Sequence, residues 1–325
     1  MTPTFRIEAD GEDATGPISD RLISLTVTDE DGQVADRLEI TLDDRDGRIA
    51  FPEIEARLEL WLGFKGQALT YIGRYQIDGV AGEGGPDTMI IRAAAIDLKS
   101  PIRAPRTRAW EDKALSEIVE TIAGEAGLEP VISDSIAATR WPYLAQTAES
   151  DLNFLTRIAA QLDATAKAAA GRLLVAKRGE DRTPAGDPVE AVSVSRHRLR
   201  PGWRWELGKR EEYGSVEAEW SDTANGQTRK VVRGDKDPGR KLRHVYSSED
   251  EATRAANSEL RMAGRAPLRF DATIAGFEPA LFAGGKLALT GLRAPLAGEW
   301  HVDQVTHQLS DGLTTSFRAR KPHEE

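Results

Sequence analysis

The run Gln146-Thr-Ala-Glu149-Ser150-Asp151-Leu152-Asn153-Phe154-Leu155-Thr156-Arg157 opens an amphipathic helix. Residues Thr147 to Ser150 supply N-caps, because a short side-chain oxygen accepts from the unpaired N–H groups of a first helical turn. Glu149 and Asp151 add negative charge at the positive end of the helix dipole. Leu152, Leu155, Ile158, Ala159 and Leu162 then recur at helical spacing and form one apolar face. This stretch decides the fold because it lies between two long regions that read as β-sheet.

On its N-terminal side, residues 4–98 read as β-structure. Arg21–Thr28 and Leu38–Leu42 alternate with period two, and Leu58–Leu62, Thr70–Val80 and Thr88–Ile96 follow. Turn signals at Asp29–Gly32 and Asp43–Gly47 separate the first of these strands. The pattern changes near Pro101 and Pro105. Leu115, Ile118, Val119, Ile122 and Ala126 fall at helical spacing and Gly127 is a natural stop. Beyond the central helix, Gly171–Lys177 reads as a short strand and Arg178–Pro188 as a linker or exposed loop. Strand-like runs return at 189–194, 215–220, 228–232 and 242–246. Ser248 and Glu251 suggest a capping box before an Ala-rich helix over 248–264. Leu268–Phe277, Lys286–Leu292, Trp300–Leu309 and Thr314–Arg320 end the chain as strands. The expected class is therefore mainly β (α+β). The expected division is a first antiparallel β-barrel or sandwich over 1–100, a helical α+β insertion over 101–180, and a second β domain over 189–325 that carries the helix.

With 325 residues, 40% hydrophobic and 30% charged, the chain has an ordinary globular composition. It contains no cysteine, so disulfides, thiolate metal sites and cysteine nucleophiles are excluded. The acidic N-terminus lacks the basic-then-apolar order of a signal peptide, and no apolar run reaches the roughly 18 residues of a membrane span. The net charge of −10 is unevenly placed. Residues 1–60 hold sixteen Asp/Glu against six Lys/Arg, and residues 196–243 hold thirteen Lys/Arg against eight Asp/Glu. That split could steer contact between subunits or simply be solvated surface.

No motif carries catalysis. The five histidines, His197, His244, His301, His307 and His323, lack metal-ligand spacing. His301 and His307 are expected on one strand face but roughly 20 Å apart, too far for one ion. Asp44-x-Asp46-Gly47 resembles part of a calcium loop whose first ligand position is Leu42, which cannot bind. The Gly79–Gly85 tract opens no helix, so it fails as a dinucleotide fingerprint. No cofactor or metal is expected, and the chain reads as structural rather than enzymatic. The run Arg196-His-Arg198-Leu-Arg200-Pro-Gly-Trp203-Arg204-Trp205 interleaves cations with aromatics. An acidic chain of pI 5.2 without a nucleic-acid motif argues against phosphate tracking. Arg196, Arg198, Arg200, Trp203, Arg204 and Trp205 are therefore the candidate interface residues, with Arg and Trp as anchors.

The central run resembles the Q-x-x-E-S-D-x-x-F-L-x-R segment of the phage late control protein D family and of the hub portion of VgrG-type type VI secretion spike proteins. Gly298-Glu-Trp300-His-Val302-Asp-Gln-Val305-Thr-His307 with Gly312-Leu-Thr314-Thr315 is similar to that family's closing hairpin. Asp31-Gly32 and Asp36–Leu42 resemble part of its first barrel. The resemblance implies two tail-tube-like β-barrels per subunit and a homotrimeric baseplate hub. Its partners would be a tail tube protein, a separate spike protein and other baseplate proteins. Assembly would occur in the bacterial cytoplasm, before incorporation into a phage tail or injection particle. The alternatives are a tail enzyme that degrades cell wall or carbohydrate, and a nucleic-acid-binding late regulator.

Overall fold

The computed structural model describes residues 1–30, 36–95, 102, 104–169, 172–177, 190–208, 214–222, 225–264 and 268–321, the side chains of 169 and 261–264 excepted. The expected turn at Asp31-Gly32 and the expected linker Arg178–Pro188 lie outside them. Strands β1 (Pro3–Ala9), β2 (Glu12–Asp13), β3 (Leu22–Glu30), β4 (Arg37–Asp43), β5 (Arg57–Phe64), β6 (Thr70–Glu83) and β7 (Thr88–Ala95) come first, with helix α1 (Thr15–Ser19) before β3. Then follow β8 (Pro105–Ala114), α2 (Leu115–Ala126), β9 (Glu129–Ile132), α3 (Asp134–Ala137), β10 (Arg140–Ser150), α4 (Asp151–Ala160), β11 (Ala164–Ala169) and β12 (Arg172–Lys177). Next are β13 (Val192–Ser195), β14 (Arg204–Leu207), β15 (Ser215–Asp222), β16 (Gln227–Gly234), β17 (Gly239–Tyr246) and α5 (Glu249–Gly264). Strands β18 (Leu268–Ile274), β19 (Lys286–Thr290), β20 (Gly298–Leu309) and β21 (Leu313–Arg320) complete the order.

The protein is mostly β with several sheets, as its alternating patterns predict. Its contacts divide it into two compact units. The first holds Met1–Leu98, Glu190–Trp205 and Phe270–Arg320; the second holds Lys99–Val189, Glu206–Arg269 and Lys321–Glu325. Residues 206–269 cluster with the 99–189 stretch.

In the first unit, strands from both ends of the chain join one thirteen-stranded sheet among the described residues. The join is β3 against β20, antiparallel from Leu25↔Leu309 to Glu30↔Gln304. Alternation explains the burial: Leu38, Ile40 and Leu42 point inward, while Glu39 faces solvent. Leu309 and Leu313, at the tip of the β20–β21 hairpin, belong to the same core cluster as Leu25, Leu60 and Ile77. Each such side chain contributes about 1.5–3 kcal/mol by leaving water.

The 192–207 segment touches both ends of the run β19–β20–β21–β18. Strand β13 pairs parallel with β19. Further on, Arg200 N donates to Thr273 O at 2.8 Å, Ala275 N donates to Arg198 O at 2.7 Å, and β14 lies beside β18. A register shift between Val302 and Gln304 in β20 is a bulge. It changes the parity of the strand, so Trp300 and Val302 are buried before it, and Val305, His307 and Leu309 after it. His301 and His307 therefore lie on different faces, contrary to simple period-two alternation: His307 is buried and His301 half-buried.

In the second unit, α2 and α4 pack on β8, β10 and the sheet β11–β12–β9. Ile118, Ile122, Phe154, Leu155 and Ile158 are fully buried there. Gly127 ends α2 in the left-handed conformation, with φ 69. Helix α5 lies on the sheet β16–β15–β17, and its Ala252 and Ala256 allow a close approach to Val216 and Ala218. Ser248 Oγ accepts from Glu251 N at 3.2 Å. The Glu251 carboxylate reaches back to Ser247 rather than Ser248, accepting from its N at 3.0 Å and its Oγ at 2.7 Å. It also accepts from Gln161 Nε2 at 3.1 Å, while Ser258 Oγ donates to Ala160 O at 2.8 Å. These bonds link α5 to the end of α4.

Candidate subunit interface

Two groups of residues stand out, one in each unit. In the second unit the central sequence run forms a buried polar knot at the β10–α4 turn. Strand β10 bulges between Gln146 and Glu149, with Ala148 at φ 48 and its N–H bonded to Thr107 Oγ1. Gln146 points inward in phase with Leu144, just before the bulge, and is fully buried with Asp151. Gln146 Nε2 donates to Asp151 Oδ1 at 2.7 Å and to Glu149 O at 3.0 Å. Arg108 reaches both partners, Nη2 to Asp151 Oδ1 at 2.6 Å and Nε to Gln146 Oε1 at 3.0 Å. Arg106 Nε stands 3.6 Å from Asp151 Oδ2, and both arginines also pair with Glu125. Ser150 caps α4 by accepting from Asn153 N at 3.2 Å.

An aromatic ladder continues the knot. The Arg108 guanidinium lies 4.4 Å over Trp110, Trp110 stacks on Phe154 at 5.9 Å, and Arg157 lies 5.3 Å over Phe154. Arg157 is held by Glu149 at 2.5 Å and by Ala145 O at 2.9 Å. Every distinctive residue of the run thus has a structural task. Gln146, Asp151 and Phe154 are buried, so the knot fixes the strand-to-helix turn and presents little surface for a ligand.

The Arg/Trp run lies in the first unit, and the structure treats its members differently. Arg198 pairs with Glu278 at 2.8 Å. Arg204 Nε is 3.4 Å from Asp271 Oδ2, and Arg318 holds the other oxygen of that carboxylate at 3.0 Å. Trp203 is half-buried and stacks on Phe270 at 5.5 Å, so it covers an aromatic core that continues to Trp300 and Phe317. Arg200 is exposed, bonded through its backbone.

Arg196 and Trp205 come together with Trp203. The Arg196 guanidinium lies 5.2 Å over the Trp203 ring, and Arg293 lies 4.5 Å over the Trp205 ring. Both tryptophans, both arginines, Leu292 and Leu296 line a cavity of about 440 Å³. A second cavity, of about 300 Å³, lies beside Trp203, Arg204, Asp271 and Arg318. Nothing local in the sequence marks Arg293 or Asp271. They lie far along the chain in a turn and a strand, and no local pattern joins them to Trp205 or Arg204.

Arg and Trp are the residue types enriched at protein-recognition surfaces, and here they pair at one half-buried and one exposed tryptophan. Among the described residues, no group of three or more His, Asp or Glu side chains is placed to hold a metal ion. No described helix is long and apolar enough to cross a membrane.

The family described as phage tail baseplate hub (GPD) matches residues 79–313. A probable baseplate hub protein of Escherichia phage 186 is 31% identical over 362 residues, covering 98% of this chain and 92% of that protein. The fold is shared with the 43 kDa tail protein of prophage MuSo2 from Shewanella oneidensis, with a TM-score of 0.70, 13% identity and 97% of both chains covered. It is also shared with an Escherichia coli component of the type VI secretion system, with a TM-score of 0.58, 12% identity, and 100% of this chain and 78% of that one covered.

Proposed function

Because this chain belongs to the phage tail baseplate hub family, we propose that it is a homotrimeric symmetry adaptor that joins a sixfold tail tube to a threefold spike. It is a structural baseplate protein, and its work is mechanical. It holds the spike, offers the tube a ring on which to polymerise, and releases the assembly on contraction. Its partners are a tube protein, a separate spike protein and other baseplate proteins. Assembly in the bacterial cytoplasm would precede its incorporation into the particle.

The observation that carries this reading is the β3–β20 pairing. It fuses an N-terminal and a C-terminal β region into one sheet within one unit. We read the two regions as tube-like barrels. Two per subunit, repeated by threefold symmetry, present six similar β surfaces to a sixfold tube, and a backbone ladder between them keeps their spacing rigid. Arg196, Arg198, Arg200, Trp203, Arg204 and Trp205 belong to the second region, and we place the subunit contact on their side of it.

The test is the solution mass of the full chain, alone and co-expressed with its spike partner. A particle of three times 35.5 kDa is expected. A chain that stays monomeric in both preparations would sink the proposal.

A further inference from the structure

Two exposed features of the first unit are complementary to one another, although they lie in different β regions. One is the loop between β4 and β5. Its ends are pinned: Ile49 N donates to Asp44 Oδ1 at 3.1 Å, and Arg21 grips Asp46 through two bonds of 2.7 and 2.8 Å. At the other end, Glu55 N donates to Ile77 O at 2.8 Å and Gln76 Nε2 donates to Glu55 O at 2.7 Å. Between these anchors Phe51 is 82% exposed and Ile54 55% exposed. Exposed carboxylates at Glu53 and Glu55 flank Ile54. The loop therefore holds two apolar side chains and two negative charges in water on an anchored backbone.

The other feature is the cavity between Trp203 and Trp205. Its apolar wall includes Leu292 and Leu296, and its charge comes from Arg196 and Arg293, each lying over an indole ring. At about 440 Å³ it has room for side chains of a partner and opens broadly to solvent. Aromatic walls with guanidinium groups suit an apolar anchor bordered by carboxylates.

We infer that, within the hub reading, the Phe51–Glu55 loop of one copy docks into the Arg196–Trp203–Trp205–Arg293 cavity of the next copy. Phe51 and Ile54 enter the cavity, and Glu53 and Glu55 meet the arginines at its rim. Charge complementarity identifies a second copy as the occupant: residues 1–60 carry sixteen acidic against six basic residues, and the cavity carries two arginines. Phe51 is too exposed to be covered by the cavity of its own chain. Loop and cavity are different surfaces, so the contact is head-to-tail, the kind that closes into a ring. Within a chain, β3–β20 joins first region to second. Between chains, the loop joins first region to second again, so the two regions alternate around the ring. A pre-ordered loop loses little conformational entropy on docking.

The test uses the full chain. Phe51→Ala/Ile54→Ala removes the anchors from exposed positions, and circular dichroism checks that it folds. Its self-association, followed by light scattering across a dilution series, should weaken by about tenfold to a hundredfold. Glu53→Arg should weaken it too, and pairing Glu53→Arg with Arg293→Glu should restore it. The native chain has no cysteine, so Glu53→Cys/Arg293→Cys treated with a short bis-maleimide reports proximity directly. Covalent species of two and three chains are expected, absent from either single-cysteine chain. A trimer that neither crosslinks nor responds to the substitutions overturns this inference and leaves the hub reading standing. Substitutions that abolish tube-protein binding while the trimer persists would assign the loop to the tube and also overturn it. A chain that is monomeric with and without its spike partner and does not crosslink overturns both.

Discussion

Gln146 and Asp151 face each other across the β10–α4 turn, both fully buried, with Gln146 Nε2 donating to Asp151 Oδ1 at 2.7 Å. Arg108 bonds both, so three polar side chains share one buried site. Such a site is stable only when every member is satisfied.

Asp151→Ala should therefore destabilise the second unit by about 3 kcal/mol, at the lower end for breaking a buried pair because Glu125 still neutralises the arginines. Gln146→Leu should cost about 1–3 kcal/mol, because it removes the acceptor of Arg108 Nε and of the buried Trp110 N–H and leaves Asp151 Oδ1 with Arg108 as its remaining donor. Urea midpoints of both single variants and the double variant check this. If the two losses simply add, the residues do not act as one network.

The two tryptophans should separate by assay. Trp203→Ala removes the stack on Phe270 and should lower stability by about 2 kcal/mol, less than for a fully buried tryptophan. Trp205 is 41% exposed, and its replacement by alanine should leave thermal stability within about 0.5 kcal/mol while weakening self-association. Equal melting shifts for the two variants would refute this division.

Charge reversals along the basic run should also split. Arg198→Glu sets like charges against Glu278, and Arg204→Glu does so against Asp271, so both should lower the melting temperature. These pairs are partly exposed, so each loss should stay near 1 kcal/mol. Arg200→Glu is expected to melt like the native chain and to weaken assembly only at low salt. An Arg200→Glu chain that assembles normally at low salt would remove this residue from the interface.

His307 makes stability depend on pH. Burial pushes its pKa down from 6.5 to about 4, opposed only in part by Asp29 and Glu278. Between those values the unfolded chain takes up a proton that the native chain refuses. Stability should therefore fall as pH drops through 6.5 and level off near 4, with a total loss of roughly 3 kcal/mol. Denaturant titrations at several pH values, compared with His307→Gln, isolate the effect. Parallel pH profiles for the two chains would show that this histidine is not responsible.

Local pattern carried much of the fold. Leu38, Ile40 and Leu42 alternate, and their strand buries that face. Leu152, Leu155 and Ile158 recur at helical spacing, and Ser150 caps the helix they form. Strand β10 was not legible, because its inward positions include Gln146 and Ser150, polar residues that only a buried network can satisfy. The candidate interface was half legible: Arg196, Trp203 and Trp205 are close in sequence, whereas Arg293 joins them from some ninety residues away.

The sequence by itself determined helices α2, α4 and α5, the cleanly alternating strands, the Ser150 cap and the family signature, because these depend on residues within a few positions of each other. Tertiary structure alone decided the rest. It grouped α5 and its sheet with α4 through Gln161–Glu251, turned His307 inward through a bulge, and paired β3 with β20. Those outcomes depend on which distant surfaces bury one another, and a one-residue change of register reverses every inward face beyond it.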